Sequence, residues 1–184
     1  MTDWLALAKS NTSYLFDLIE KLVSIETPTR DKAANDEISS FTANLMRSIE
    51  GKVTVHPEAE FGDHITINWP VPDGSNHKQH AFIVGHLDTV WPHGTLKRMG
   101  YSKRKGRLYG PGVLDMKAGI ATTIVGLQVL KRNNLWPNRP VKVLFNTDEE
   151  VGSPSSRPLV EHYAKGAAYA LIMEPGQGSN GALK

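Results

Sequence analysis

Four short stretches of this 184-residue chain set a histidine and several acids where a reaction could use them. His86-Leu87-Asp88 follows the apolar run at 81–85, Asp148-Glu149-Glu150 follows the run at 141–146, and Glu174 follows the run at 168–173. Asp115 stands just ahead of an apolar helical stripe that begins at Met116. In an open α/β sheet, ligands collect beyond the carboxyl ends of the strands. Three strand ends and one helix start would therefore bring one histidine and several carboxylates to a single rim. The chain has no cysteine, so a metal there must be held by imidazole and carboxylate, a donor set that suits Zn, Mn or Co.

Each stretch alone has a plainer reading. A His-x-Asp after a strand is more often a hydrogen-bonded surface pair. Glu149-Glu150 could be a solvated acidic pair favoured by a helix start, Asp115 an N-cap, and Glu174 with Pro175 and Gly176 a turn. All of these would have to hold independently, whereas carboxylates crowded to one point repel one another unless a cation is present. The metal site explains all four stretches at once.

The elements that must position these residues are legible in the hydrophobic pattern. Leu15, Leu18, Ile19 and Leu22, and then Ile38, Phe41, Leu45 and Ile49, repeat at helical spacing on either side of the breaker Thr27-Pro28-Thr29. Val53 with Val55, and Ile65, Ile67 and Trp69, alternate with polar residues. They read as half-exposed strands near a sheet edge, followed by a turn-rich loop at 70–75. The three apolar runs at 81–85, 141–146 and 168–173 read as strands buried on both faces. Met116, Ile120, Ile124, Leu127 and Leu130 give a helix between the first two, ended by Asn133, Asn134 and Pro137, and another helix is expected at about 155–164. Strand and helix alternate, so the expected class is α/β, with a largely parallel sheet and helices on both faces.

Four blocks in order carry a family resemblance: GHLDTV at 85–90, GVLDMKAG at 112–119, DEEVGS at 148–153 and MEP at 173–175. They resemble the signature blocks of the co-catalytic zinc peptidases that include carboxypeptidase G, aminoacylase, acetylornithine deacetylase and succinyl-diaminopimelate desuccinylase. The run HLDTVWPHGT at 86–95 is most similar to the glutamate carboxypeptidase branch. The resemblance implies that His86 and Glu174 bind one zinc, Glu150 binds the other, and Asp115 bridges them, with Co or Mn as substitutes. It further implies that Asp88 accepts a hydrogen bond from His86, that Glu149 is the general base, and that the Asp115–Met116 peptide is cis. The implied activity is hydrolysis of an amide in a small peptide or N-acyl amino acid. The family pattern also has a later histidine for the second zinc and an inserted lid domain that supplies dimer contacts. The 184 residues are thus expected to be the N-terminal portion of the catalytic domain, without lid and C-terminal segment, and inactive alone.

Bulk properties narrow the alternatives. Forty per cent hydrophobic residues support one substantial core, and 21 Lys and Arg against 19 Asp and Glu leave a formal charge of +2, too little to argue for a nucleic-acid or membrane partner. The basic run from Lys97 to Arg107 is read as a solvated connection, not a nucleic-acid surface. No secretion signal is visible, which makes a cytoplasmic location the default. The rival reading is a non-catalytic metal-binding or partner-binding domain derived from the same fold. Glu149, which such a domain would not need, argues against it.

Overall fold

The computed structural model describes residues 2–71, 75–176 and 178. Part of the expected turn at 70–75 and the chain end at Gly181-Ala182-Leu183-Lys184 lie outside those residues. The first amphipathic stripe forms α2 (Thr12–Ser24), preceded by the short α1 (Trp4–Ser10), and buries Leu18, Ile19, Leu22 and Val23. Thr27-Pro28-Thr29 breaks the helix, and α3 (Lys32–Arg47) restarts at Asp31, whose carboxylate accepts the Ala34 N–H at 3.0 Å, a capping bond that satisfies one orphan donor of the first turn. Ile49 falls beyond the end of α3 but stays in the core, and its carbonyl accepts the Trp69 indole N–H at 2.8 Å.

Five strands form the main sheet: β1 (Lys52–His56), β2 (His64–Trp69), β3 (His80–His86), β6 (Val141–Asn146) and β7 (Ala167–Ile172), in the spatial order β1-β2-β6-β3-β7. The sheet is mixed. β6, β3 and β7 run parallel, whereas β1 and β2 join as an antiparallel pair on the β6 side. The expected parallel sheet is the half that ends in the acidic residues. Between β3 and β6 lie α4 (Thr95–Met99), the hairpin β4 (Ser102–Arg104) and β5 (Arg107–Tyr109), and α5 (Ala118–Arg132). α6 (Arg157–Ala164) connects β6 to β7. α2, α3 and α5 share one core cluster with Ile65, Ile67, Ile83, Val143 and Phe145, while Leu159, Val160 and Tyr163 of α6 cover Phe82, Val84 and Leu144 on the opposite face. Helices therefore flank both faces.

Two expectations are corrected. β2 is not half-exposed: its polar positions His64 and Thr66 are buried because each has a hydrogen-bonding partner, Ser155 for His64, and His56 and Tyr163 for Thr66. β7, read as doubly buried, is an edge strand with Tyr169, Leu171 and Ile172 exposed; apolarity alone does not distinguish an edge from a centre. The basic stretch is a largely exposed connection, as expected, and takes the form of a short helix and a hairpin, with Lys103 over the Phe16 ring and Arg104 over the Tyr109 ring. The stretch Val113–Arg132 has a mean hydropathy of 1.4, long and apolar enough to cross a bilayer by composition. Here it is the core helix and its lead-in, with Ile120, Ala121 and Ile124 fully buried.

Candidate metal centre

His86 is the last residue of β3, and its side chain is almost fully buried at the carboxyl end of the parallel strands. Nε2 lies 3.0 Å from Asp115 Oδ1, 3.1 Å from Glu174 Oε1 and 3.8 Å from Glu149 Oε2. Glu150 completes the group: ligand atoms of His86, Glu149 and Glu174 fall within 4.8 Å of one another, as do those of His86, Asp115 and Glu150. Donors held at about 2.0–2.2 Å by a tetrahedral zinc stand roughly 3.3–3.6 Å apart. The separations of His86 from Asp115 and Glu174, 3.0 and 3.1 Å, lie just inside that spacing, so a slight opening of the group fits a small divalent cation.

The surroundings fix these groups. Gly112 takes a left-handed φ of 69°, leading into an irregular turn at Val113–Lys117 in which Asp115 and Met116 are not helical and the peptide between them is cis, as the resemblance implied. Asp115 is thus not a helix cap; α5 begins at Ala118, with Lys117 in the N-cap position and no side-chain cap bond. At Gly119 a Cβ would collide with the Met173 carbonyl oxygen. Only glycine lets the start of α5 approach the residue before Glu174 that closely. Glu149 and Glu150 open a single 3₁₀ turn, Glu149–Val151, after β6.

Asp88 is buried completely and ties the pieces together. Its carboxylate accepts the Thr29 hydroxyl at 2.8 Å and the backbone N–H groups of Glu149 and Glu150 at 3.3 and 3.2 Å. His86 Nδ1 lies 2.9 Å from the Asp88 carbonyl oxygen and 3.3 Å from its carboxylate. The nearer acceptor is therefore the Asp88 backbone, with the carboxylate adding its charge. Either acceptor takes the Nδ1 proton and turns Nε2 toward Asp115 and Glu174, where it donates to their carboxylates in the metal-free chain and would offer its lone pair once a cation displaced that proton.

The electrostatics show how much negative charge converges. Burial opposes a charged His86, but hydrogen bonding and charge from Asp88, with Glu149 and Glu174, outweigh it and push the imidazole up to about 9. Burial raises Glu149 and Glu150 above the usual carboxylate range; neighbouring acids add to this while His86 opposes it. A cation at this point would relieve both effects.

Two residues beside the centre carry little sequence signal of their own. Thr29 reads only as part of a helix breaker, yet it holds Asp88. Lys117, two residues after Asp115, is buried, donates to the Ile25 carbonyl at 2.5 Å, and is lowered to about 7 by desolvation against the opposing charges of Glu26 and Asp88. A lysine inside the otherwise apolar stretch after Asp115 was the available clue. His93, within the 86–95 run, bonds Asp31 at 2.6 Å and lies 4.0 Å from Glu26.

Comparison with known proteins places this geometry. Residues 82–184 match the peptidase family M20/M25/M40. The chain is 35% identical to carboxypeptidase G2 of Pseudomonas sp. (strain RS-16) over 159 residues, covering 85% of this chain and 37% of that protein. It is 24% identical to the acetylornithine deacetylase of Proteus mirabilis over 155 residues, covering 81% of this chain and 38% of that one. Among solved structures it resembles human carnosine dipeptidase 1, with a TM-score of 0.75 at 16% identity over 89% of this chain and 39% of that one. It also resembles an M20 family metallo-carboxypeptidase from Sulfolobus solfataricus, with a TM-score of 0.71 at 19% identity over 91% of this chain and 38% of that one. The chain thus spans well under half the length of these relatives, over the stretch that carries the His86 cluster. It belongs to the peptidase family M20/M25/M40.

Proposed function

We propose that the protein carrying these residues is a zinc-dependent hydrolase of amide bonds, acting on a small peptide or N-acyl amino acid and releasing an amino acid such as glutamate. The observation that carries this reading is the convergence of His86 with Asp115, Glu149, Glu150 and Glu174 within two overlapping groups of metal-ligand size. Membership of a metallopeptidase family supports divalent metal use, and similarity to carboxypeptidase G2 supports the choice of substrate class.

His86 and Glu174 would hold one ion, Glu150 the other, and Asp115 both. When bound, such a pair supplies Lewis acidity toward the amide carbonyl and lowers the pKa of water toward neutrality. Glu149 would take a proton from the attacking water and return it to the departing amine. It is suited to that exchange because it is half-exposed and its pKa is raised by burial and by the acids around it. Asp88 and Thr29 act only through others, holding His86 in one tautomer and the glutamate turn in one place. No serine or cysteine nucleophile is needed in this scheme.

The test is a substrate screen on the complete protein with zinc present, covering N-acyl amino acids, folate-like conjugates and dipeptides. Release of a free amino acid supports the reading, and activity confined to esters or phosphates contradicts it.

A further inference from the structure

His64, the first residue of β2, is fully buried and bonded on both ring nitrogens to the loop that carries Glu149 and Glu150. Nδ1 accepts the Thr147 N–H at 3.3 Å, and Nε2 lies 2.9 Å from Ser155 Oγ. Ser155 Oγ in turn donates to Asp148 Oδ2 at 2.8 Å, and the same oxygen receives the N–H groups of Ser155 and Ser156 at 2.7 and 3.0 Å. The serine proton is committed to Asp148, so the imidazole must donate to Ser155 from Nε2. That polarity is the reverse of what a serine nucleophile needs from a histidine base, and it excludes His64-Ser155-Asp148 as a second hydrolytic triad. The three form a clasp. Burial holds His64 below its usual pKa, in keeping with a neutral ring. Burial would raise Asp148, but hydrogen bonds from Ser156 and Ser155 outweigh it and hold the carboxyl low.

The clasp encloses the glutamate turn. Thr147 and Asp148 lie before it, Ser155 and Ser156 after it, and the N–H groups of Glu149 and Glu150 themselves point to Asp88. Two buried carboxylates thus fix the turn, Asp88 from inside and Asp148 from the loop, and His64 ties the Asp148 side to the sheet. We propose that His64 is a positioning residue for Glu149 and Glu150, acting through Ser155 and Asp148. Its consequence for metal binding rests on the metal-centre reading above.

Two isosteres separate its bonds. In His64→Asn the side-chain oxygen can still accept the Thr147 N–H but cannot reach Ser155; in His64→Gln the amide reaches Ser155 but leaves the Thr147 N–H without its acceptor, while the Thr147 hydroxyl keeps its bond to the Gly62 carbonyl. Co(II) titration of the 184-residue chain, followed by absorbance, measures the tight ion, which His86→Ala must remove, and a weaker ion, which Glu150→Gln must remove. The expected result is that His64→Asn and Ser155→Ala each weaken the second ion about ten- to a hundredfold and leave the first unchanged. The double variant should be no worse than either single one, because both cut the same chain of bonds, and His64→Gln should restore most of the loss. Equal weakening of both ions, additive effects, or failure of His64→Gln to rescue would overturn the proposal. Amide hydrogen exchange on the metal-free chain tests His64 independently of any metal. Faster exchange at Glu149 and Glu150 in His64→Asn, with β3 amides unchanged, supports the clasp even if His86→Ala shows the metal reading to be wrong. Unchanged exchange at the two glutamates, or acceleration across the whole chain, refutes it.

Discussion

His86 and Asp88 meet at two points, with Nδ1 2.9 Å from the Asp88 carbonyl oxygen and 3.3 Å from its carboxylate, while that carboxylate also accepts the backbone N–H groups of Glu149 and Glu150. One buried acid thereby sets the orientation of the histidine and the position of the glutamate pair. Asp88→Asn replaces one accepting oxygen with a donor among the Thr29 hydroxyl and two N–H groups. It should weaken zinc about ten- to a hundredfold, measured by chelator competition, although Asp88 faces no metal directly. Unaltered affinity would show that the pairing is incidental.

Glu149 is assigned a proton-transfer role separate from ligation. Glu149→Gln should retain zinc and lose turnover by a factor on the order of a hundred to ten thousand in the complete protein. In the metal-free chain the same change should raise the melting temperature near pH 7, since it removes one of the charges that crowd Glu174, Asp88 and Asp115. Release of zinc as readily as from Asp115→Ala would contradict the division of roles.

The raised pKa of His86 gives a signed pH dependence. A histidine held at about 9 when folded, against 6.5 ordinarily, contributes stability that is fully present below the unfolded value and lost as pH rises through the folded one. The metal-free chain should therefore melt at progressively lower temperature between about pH 7 and about pH 10, and His86→Gln should flatten that fall. A melting temperature that stays level through this range in the parent chain would show that the imidazole does not hold its proton.

On the acid side the slope comes from other histidines. Burial lowers His56, His64 and His80, so each opposes unfolding above its ordinary pKa and ceases to do so as pH falls below it. His80 donates to the Tyr163 carbonyl at 2.7 Å, a bond that a glutamine amide can also make. His80→Gln should reduce the loss of melting temperature between about pH 6.5 and about pH 5; an unchanged slope would exclude His80 as a contributor.

The sequence made some of this legible and hid the rest for identifiable reasons. The apolar runs before His86, Thr147 and Glu174 mark strands because β-structure needs little beyond a buried run bounded by polar residues, and acids at the ends of parallel strands necessarily share one rim. The burial of β2 was not legible, because His64 and Thr66 look like solvent-facing positions until Ser155, His56 and Tyr163, distant in sequence, supply their partners. β7 failed in the opposite direction: Tyr169, Leu171 and Ile172 are apolar enough for a central strand, but a neighbour on one side only is a property of sheet order. Thr29 and Lys117 were missed for a related reason, since a hydroxyl in a helix breaker and a lysine in a helix start acquire meaning only from the groups they touch.

Zinc content after exhaustive dialysis of the 184-residue chain shows whether the His86 cluster is a zinc site. One zinc per chain should be retained through His86, Asp115 and Glu174, three protein ligands with one position open. A second zinc should be lost on dialysis, because among the described residues the other group has no imidazole besides the shared His86. His86→Ala and Asp115→Ala should retain far less than one. Absence of zinc from the parent chain, or an equal content in His86→Ala, would contradict the account.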